Sequence, residues 1–340
     1  MKTVSCITVR MSSGRLPGKV MADICGKPAL ERVVERHLQI EAMDELIVAT
    51  STDPLDDPIE EWCSGSGIRC YRGSLDNVCD RIYNAVVDLK PDYVIRGLGD
   101  CTFIEPRLVD MMIDVLSLHN ADAARPVTEA NKWPVYGAAE SPYSWNVIET
   151  LNERSSGSQC EHFGAYLDEH RDEFNIIYPQ GPPGYYTTYY PPYRLELDTE
   201  TDLWMFRQIY EALGTDREPP LYEVIRFLDN NQDLAITNSS IAEKTGPLTS
   251  FTPQQRRKWN EQKDGRVVDW GSRQWSWLQG HKADHRAVWC DAGRCYLGYV
   301  LHHGRGQDNA LVRPSGDRIF GDASISCPCG AGREWRKTRR

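Results

Sequence analysis

The sequence predicts an α/β fold, in which a mostly parallel sheet is flanked by helices and a small β-rich module follows at the carboxyl end. Short apolar runs alternate with amphipathic helical patterns as far as about residue 120. Parallel strands need a crossover, usually a helix, so this alternation is typical of βαβ units. The run at 45–50 is nearly continuous in apolar character, as strands buried on both faces are.

The first 120 residues supply four strands and the helices between them. The strands are predicted at roughly 4–9, 45–50, 69–72 and 93–96. A helix can begin at Pro28, because proline suits the first turn. Two helical faces follow the i, i+3, i+4, i+7 spacing, one at Leu30, Val33, Val34, His37 and Leu38 and one at Val78, Ile82, Val86 and Leu89. On such a face, we expect His37 to be a packed side chain and not a ligand.

Beyond residue 120 the pattern is less regular. Residues 194–198 alternate like a strand, and Thr199, Glu200 and Asp202 have the chemistry of a helix start before the apolar pattern at 203–213. A loop rich in proline and tyrosine at 181–192 could serve as a sugar platform. A surface turn or a subunit contact explains this loop equally well.

The composition changes near residue 240. Residues 245–340 hold six of the ten tryptophans and four of the eleven cysteines. Residues 286–290 and 295–301 read as a β-hairpin, and 310–320 as a second one. We therefore predict a larger domain at 1–240 and a small tryptophan- and cysteine-rich module at 245–340.

Length and charge exclude several classes of protein. The 340 residues carry a net charge of −10, which disfavours general nucleic-acid binding and favours anionic substrates escorted by Mg²⁺. No apolar run is long enough to span a membrane and no secretory signal pattern opens the chain, so we expect a cytoplasmic protein. Seven cysteines are scattered through residues 6–160 without paired spacing, as expected of reduced thiols.

A basic, glycine-containing loop follows the first predicted strand. It places Arg10, Arg15 and Lys19 beside Gly14 and Gly18. Glycines let backbone N–H groups approach an anion, and the cations add the charge that a polyphosphate requires. The loop is not a Walker loop, because its two glycines are too close together. On composition alone, a solvated basic loop is as good an interpretation as a phosphate site.

The order of residues in this loop resembles the cytidylyltransferase family, which includes spore-coat polysaccharide cytidylyltransferases, CMP-Kdo synthetases and CMP-sialate synthetases. The matching segment is Arg-x-x-Ser-x-Arg-Leu-Pro-Gly-Lys at 10–19, followed by Gly-Lys-Pro at 26–28. Val9, Ser12 and Gly14 depart from the family's usual start. The resemblance covers roughly residues 3–240, and its specificity comes from several motifs occurring in order.

The resemblance implies a Rossmann-like, GT-A-type nucleotidyltransferase sheet and a definite reaction. CMP would pass from CTP to a sugar or sugar-acid acceptor with release of pyrophosphate, with Mg²⁺ as the cofactor. CTP and the acceptor would be the small-molecule partners of a homodimer. The resemblance further implies nucleotide binding by loop residues, of which Arg15 and Lys19 would also be catalytic: Arg10, Ser12, Ser13, Gly14, Arg15 and Lys19.

Two aspartates match metal-binding segments of the family. Asp100 lies in a Gly-Asp-Cys turn, where Thr102 replaces the usual proline, and Asp198 lies in a Leu-Asp-Thr-x-x-Asp segment. Ligands of parallel sheets bind at the carboxyl ends of strands, where the basic loop and the Asp100 turn both lie. The resemblance thus implies that Asp100 and Asp198 are catalytic and bind Mg²⁺, although either alone could be a turn or cap. Asp202 would only support the helix start.

A segment at 71–81 resembles the family segment beside the cytosine. The resemblance implies nucleotide binding by Ser74, Asp76 and Arg81. Helix capping, with Asp76 as the cap, explains these residues equally well.

A segment at 160–166 resembles a family segment that lies toward the acceptor. The resemblance implies substrate binding by Glu161 and His162. A hydrogen-bonded structural histidine is as good an interpretation of His162.

Two other functions would explain some of these sequence motifs. A glycosyltransferase also uses a nucleotide-binding α/β domain with metal-binding aspartates, but it has less need of a loop that serves a free triphosphate. A binding protein that has lost catalysis stays open because of the departures at Ser12, Gly14 and Thr102. The intact Arg15 and Lys19 argue against it.

The carboxyl-terminal module has a resemblance of its own. The segment Cys-Pro-Cys-Gly-Ala-Gly at 327–332 is similar to the SEC-C zinc motif, but the second ligand pair of that motif is missing. Cys290 and Cys295 could complete a four-ligand zinc site with Cys327 and Cys329. A disulfide across the hairpin, or buried free thiols, are the alternatives.

Overall fold

The computed structural model describes residues 1–126, 135–179 and 193–239, together with two strands at Ala287–Asp291 and Arg294–Gly298. The chain divides into two units, Met1–Gln262 and Lys263–Arg340. The loop at 181–192 and the second predicted hairpin lie outside the described residues. The same holds for the predicted domain boundary between 240 and 245, which stays a prediction.

The first unit alternates strands with helices. Its strands are β1 (Thr3–Thr8), β2 (Asp23–Ile24), β3 (Lys27–Pro28), β4 (Glu45–Ser51), β5 (Arg69–Gly73), β6 (Tyr93–Leu98), β7 (Ala123–Ala124), β8 (Val135–Tyr136), β9 (Pro142–Ser144), β10 (Ile176–Ile177) and β11 (Tyr193–Arg194). Its helices are α1 (Ala29–His37), α2 (Asp57–Ser66), α3 (Val78–Val86), α4 (Pro106–Leu118), α5 (Trp145–Arg154), α6 (Ser158–Glu161), α7 (Ala165–Glu169), α8 (Glu200–Leu213), α9 (Leu221–Asn230) and α10 (Gln232–Ala235). Within the described ranges, none of the helices is long and apolar enough to cross a membrane.

A seven-stranded sheet forms the centre of this unit, in the order β10-β7-β9-β6-β1-β4-β5. Strands β6, β1, β4 and β5 are parallel to their neighbours, as are β7 and β10. Strand β9 is antiparallel to both β6 and β7. The predicted fold, a mostly parallel sheet flanked by helices, is confirmed, and the first four predicted strands are correct to within two residues at each end.

A buried charge cluster fixes α1 to the segment between α8 and α9. The carboxylate of Glu218 lies 2.8 Å from Arg32 Nη1 and 3.2 Å from Arg36 Nε. The Tyr210 hydroxyl donates to the same carboxylate at 2.5 Å, and the Arg32 guanidinium stacks 4.1 Å from the centroid of the Tyr210 ring. Buried charges are tolerated only when they are paired in this way. The cluster therefore holds α8, and the residues that precede it, close to the sheet.

His37 is an interior residue, as predicted. Its side chain is completely buried, with Nδ1 2.7 Å from Ser5 Oγ and Nε2 2.9 Å from Glu140 Oε2. The predicted apolar face is wrong at Leu38, which is 56% exposed because α1 ends at His37.

The predicted strand at 194–198 is wrong in extent, because β11 ends at Arg194. The backbone N–H groups of the residues that follow donate to other groups. The N–H of Leu197 donates to the carbonyl oxygen of Asp100 at 2.9 Å, and the N–H of Asp198 donates to Asp202 Oδ2 at 3.0 Å. This backbone contact brings the two predicted metal ligands into one neighbourhood.

The second unit contains the predicted first hairpin. Strands β12 (Ala287–Asp291) and β13 (Arg294–Gly298) are antiparallel, with Cys290 opposite Cys295 in the register. Cys327 and Cys329 lie outside the described residues. No group of three or more His, Cys, Asp or Glu residues that could hold a metal occurs in the part of the chain that the structure describes, so the zinc prediction gains no support. The seven cysteines between Cys6 and Cys160 are free thiols, as predicted.

Candidate active site

The carboxyl ends of β1 and β6 lie side by side and bring the basic loop next to the Asp100 turn. Thr8, the last residue of β1, pairs with Leu98, the last residue of β6. The N–H of Gly99 donates to the Thr8 carbonyl oxygen at 3.3 Å. A Cβ at Gly99 would lie 2.3 Å from a methyl group of Val9, so this approach requires glycine.

The basic loop folds back on itself around Met11. The carbonyl oxygen of Met11 accepts hydrogen bonds from the N–H groups of Ser13 at 2.8 Å and Gly18 at 2.9 Å. The N–H of Met11 donates to Asp56 Oδ1 at 2.7 Å. Gly18 has a φ of 71°, in the left-handed region that favours glycine. The loop is therefore fixed by its own backbone, and Lys19 follows directly from it.

Lys19 bridges the two predicted metal ligands. Its Nζ lies 2.6 Å from Asp100 Oδ2 and 2.9 Å from Asp198 Oδ1. The side chains of Lys19 and Asp198 are 12% and 9% exposed, whereas that of Asp100 is 28% exposed. Two carboxylates thus converge on one cation at the edge of the sheet.

Asp198 also contacts two arginines. Its Oδ2 lies 2.5 Å from Arg15 Nη2 and in direct contact with Arg194 Nη2. Burial by itself would raise the pKa of Asp198, but Lys19, Arg15 and Arg194 outweigh burial and lower it. Burial would likewise lower the pKa of Lys19, but Asp100 and Asp198 raise it. Asp198 and Lys19 are therefore both charged at neutral pH.

Asp202 does more than begin a helix. Its Oδ2 accepts the N–H groups of Asp198 and Thr199, and Thr199 in turn forms a capping box with it. Its Oδ1 lies 2.6 Å from Arg194 Nη1 and 2.8 Å from the Asn238 amide nitrogen. Asp202 therefore fixes both the backbone of Asp198 and the arginine that pairs with it.

The site has no surplus positive charge without a substrate. Its three cations, Arg15, Lys19 and Arg194, face four carboxylates: Asp100, Asp198, Asp202 and, 3.6 Å from Arg194, Glu196. A triphosphate would add several negative charges, so it needs a further cation to enter with it. Mg²⁺ prefers carboxylate and phosphate oxygens, and two carboxylates that already converge on one ammonium fit such an ion.

The structure brings Arg10 and Glu161 together, although they are 151 residues apart. Arg10 Nη2 lies 3.1 Å from Glu161 Oε1; the Arg10 side chain is half-buried and that of Glu161 is exposed. His162 follows Glu161 and is exposed, as are Ser12 and Gly14 in the loop. The predicted acceptor segment therefore lies beside the predicted phosphate loop.

The helix after β5 is capped by Asn77, so the interpretation of Asp76 as the cap is wrong. The Asn77 side chain accepts the N–H of Asp80 at 2.9 Å, whereas Asp76 is exposed. Ser74 Oγ accepts the N–H of Asn77 at 3.0 Å, and the Ser74 carbonyl oxygen accepts a bond from Arg81 at 2.9 Å. The cap lies one residue later than expected because α3 begins at Val78. Asp76 is thereby left available for a ligand.

Asn77→Ala is expected to lower the free energy of unfolding by about 1 kcal/mol, because the N–H of Asp80 loses its acceptor. Asp76→Ala, the matched control, should change that free energy by less than about 0.5 kcal/mol. Chemical denaturation of both variants measures the difference. A larger loss for Asp76→Ala would contradict the assignment of the cap.

Two residues that shape the site were not predicted from the sequence. Asp56 is 1% exposed and also accepts hydrogen bonds from Thr50 and Ser51, which end β4. A pair of hydroxyl residues at a strand end, followed by an aspartate, was the available signal. Arg194 stands four residues before Asp198 and eight before Asp202, a spacing that could have indicated a shared partner.

Comparison with known proteins identifies related sequences and a related fold. A sequence model of the family described as cytidylyltransferase matches residues 4–238. The spore coat polysaccharide biosynthesis protein SpsF of Bacillus subtilis is 30% identical over 234 residues, which is 67% of this chain and 95% of SpsF. The 3-deoxy-manno-octulosonate cytidylyltransferase of Geobacter sulfurreducens is 26% identical over 258 residues, covering 67% of this chain and 100% of that protein. The solved structure of a cytidylyltransferase from Leptospira borgpetersenii serovar Hardjo-bovis has a TM-score of 0.63 at 23% identity, covering 72% of this chain and 100% of that one.

The solved structure supports the fold, and the sequence match supports the family. The match includes the basic loop, Asp100 and Asp198, and it ends at residue 238, before the carboxyl-terminal module. It favours a nucleotidyltransferase over the glycosyltransferase that the sequence left open. The chain belongs to the cytidylyltransferase family and is an enzyme of the nucleotidyltransferase class.

Proposed function

We propose that this enzyme transfers CMP from CTP to a sugar or sugar-acid acceptor and releases pyrophosphate. The bridge that Lys19 forms between Asp100 and Asp198, at the end of a loop that also carries Arg15, supports the proposal most strongly. The names of two relatives add support, since one gives 3-deoxy-manno-octulosonate as the substrate of a cytidylyltransferase and the other refers to polysaccharide biosynthesis.

In the proposed reaction, an acceptor oxygen attacks the α-phosphorus of CTP while the bond to the pyrophosphate oxygen breaks. Mg²⁺, which Asp100 and Asp198 would hold, neutralises phosphate charge when it is bound. Arg15 and Lys19 exchange their carboxylate partners for phosphate oxygens, and Arg10 adds a third cation. A protein accelerates such a transfer mainly by positioning the reactants and by stabilising the charge on the transferred phosphate.

The remaining predicted residues divide between nucleotide and acceptor. Ser12, Ser13, Gly14, Ser74 and Asp76 bind the nucleotide, and Arg81 acts on that side through the Ser74 carbonyl oxygen. Glu161 and His162 lie toward the acceptor, next to Arg10. That the enzyme is a homodimer and resides in the cytoplasm stays a prediction, which gel filtration and cell fractionation can check.

Purified enzyme incubated with CTP, Mg²⁺ and a panel of sugar acids is expected to release pyrophosphate with one of the acids. Omission of Mg²⁺ should abolish the release, because the triphosphate would lack its balancing cation. Coupled pyrophosphate detection follows the rate, and mass spectrometry identifies the CMP conjugate. Preference for another nucleoside triphosphate, or CTP binding without turnover across the panel, would contradict the proposal; the second result would point to a binding protein that has lost catalysis.

A further inference from the structure

Two cysteines face each other between α2 and β5, the strand at the edge of the sheet. The side chains of a strand point alternately to its two faces. Tyr71 packs with the apolar cluster that includes α3, so Cys70 and Arg72 point to the opposite face. The contacts of Arg72 agree, because its Nη1 lies 2.7 Å from the carboxylate oxygens of both Asp57 and Glu60 on α2. Cys70 therefore faces α2 as well.

Cys63 lies opposite Cys70 on α2. Positions 57, 60 and 63 are spaced by three along the helix, so Cys63 shares the face that carries Asp57 and Glu60. The N–H of Ile68 donates to the Cys63 carbonyl oxygen at 2.9 Å, where the chain turns back from α2 into β5. Cys70 packs against the apolar cluster that contains Cys63. The two thiols are hydrogen-bonded to each other.

The two thiols differ in their access to solvent. Cys63 is completely buried, whereas Cys70 is partly exposed. Cys70 lines a surface cavity of about 670 Å³ together with Glu60, Ser64 and Ile68. A cavity of this size has room for a small molecule. A reagent from solvent therefore meets Cys70 first and reaches Cys63 only through it.

The hydrogen bond between the thiols makes Cys70 the more reactive of the two. The bond that the Cys63 thiol donates lowers the pKa of Cys70, and this effect outweighs burial, which raises it. The same hydrogen bond, together with burial, raises the pKa of Cys63. The thiolate is the form of cysteine that attacks a disulfide. Cys70 is thus the nucleophile of the pair, and Cys63 keeps its proton.

We propose that Cys70 and Cys63 form a thiol–disulfide exchange site for small disulfides, with groups that take no part in the candidate active site. The Cys70 thiolate attacks one sulfur of a disulfide RSSR, which gives a mixed disulfide and releases one RSH with the proton that Cys70 had lost. The Cys63 sulfur then attacks the Cys70 sulfur, and the Cys63 proton leaves with the second RSH. The protein dithiol is oxidised by two electrons, and RSSR is reduced to two thiols.

Peptide mass mapping of the full chain tests the proposal after exposure to hydroxyethyl disulfide, a neutral probe, and quenching with an alkylating reagent. We expect the wild type to form the Cys63–Cys70 bond without a lasting adduct. Cys25 is the internal comparison, because it is also partly exposed. Burial raises the pKa of Cys25, and its thiol donates to the Arg207 carbonyl oxygen at 3.5 Å. Cys70 should therefore react about tenfold faster than Cys25, or more.

Three variants separate the roles of the two thiols. Cys63→Ala should leave a stable mercaptoethanol adduct on Cys70, because the resolving thiol is missing. Cys70→Ser should leave Cys63 reduced, because that thiol is buried. Cys25→Ser, the matched control, removes another partly exposed thiol and should leave formation of the Cys63–Cys70 bond unchanged. Melting curves establish that each variant is folded.

Several results would overturn the proposal. In the wild type these are a lasting adduct on Cys70, a bond from Cys70 to any other cysteine, and a reaction at Cys70 no faster than at Cys25. They decide the matter even if a variant does not fold. Modification of Cys63 in folded Cys70→Ser would also overturn it, because Cys63 would then react without Cys70. None of these measurements involves CTP, so they are independent of the proposed function.

Discussion

Asp100→Asn is expected to lower kcat/KM by about two to three orders of magnitude and to leave the melting temperature nearly unchanged. The amide keeps the size of the side chain but loses the charge that pairs with Lys19 at 2.6 Å and that would hold Mg²⁺. Such a reaction is accelerated chiefly by stabilisation of the charge on the transferred phosphate, so the loss should appear in turnover. Initial rates of pyrophosphate release across a range of Mg²⁺ concentrations measure it.

The control for this variant lies at the other end of the same strand. Asp92 immediately precedes β6, is 59% exposed and accepts a hydrogen bond from the Lys2 N–H. Asp92→Asn makes the same chemical change away from the site and should leave the rate within about twofold of the wild type. If Asp100→Asn retained near-normal activity at limiting Mg²⁺, Asp100 would not be a metal ligand.

The sheet was predictable because hydrophobic period and strand length carry most of the information about it. The run at 45–50 reads as a buried strand from its apolar residues alone, and β4 extends only one residue further. Element ends depend on finer contacts. Leu38 continues the period of α1, yet it lies outside the helix and is exposed. The sequence suggested Asp76 as the cap of α3, but the helix begins at Val78 and Asn77 caps it.

The sequence predicted which residues form the candidate site, but it did not predict how they contact one another. Family resemblance singled out Asp100, Asp198 and Lys19, but no spacing rule says that one ammonium will lie between two carboxylates from distant segments. The contact arises because the N–H of Leu197 donates to the carbonyl oxygen of Asp100. The alternating pattern at 194–198 had suggested a strand, but β11 ends at Arg194.

Lys19→Met is expected to slow turnover by about a hundredfold while tightening the binding of Mn²⁺, used as a probe for Mg²⁺, in the absence of nucleotide. The ammonium now lies between the two carboxylates that would hold the metal, at 2.6 Å and 2.9 Å. A unit charge at such a distance is worth on the order of 1–4 kcal/mol, so its removal should raise Mn²⁺ affinity by about fivefold or more. Methionine keeps a similar volume in a position that is 12% exposed, which favours an intact fold. Electron paramagnetic resonance of free Mn²⁺ gives the affinity, and pyrophosphate release gives the rate.

The opposite signs of these two effects make the result specific to Lys19. A lysine that only supported the loop would weaken metal binding and turnover together when replaced. Lys27→Met is the matched control, because Lys27 pairs with Glu35 at 2.5 Å, not with Asp100 or Asp198, and should change neither quantity by more than about twofold. We also expect a CTP analogue to increase the Mn²⁺ affinity of the wild type, because Lys19 would then bind phosphate oxygens and leave the two carboxylates to the metal. Unchanged Mn²⁺ affinity in Lys19→Met, with or without the analogue, would show that the metal is held elsewhere.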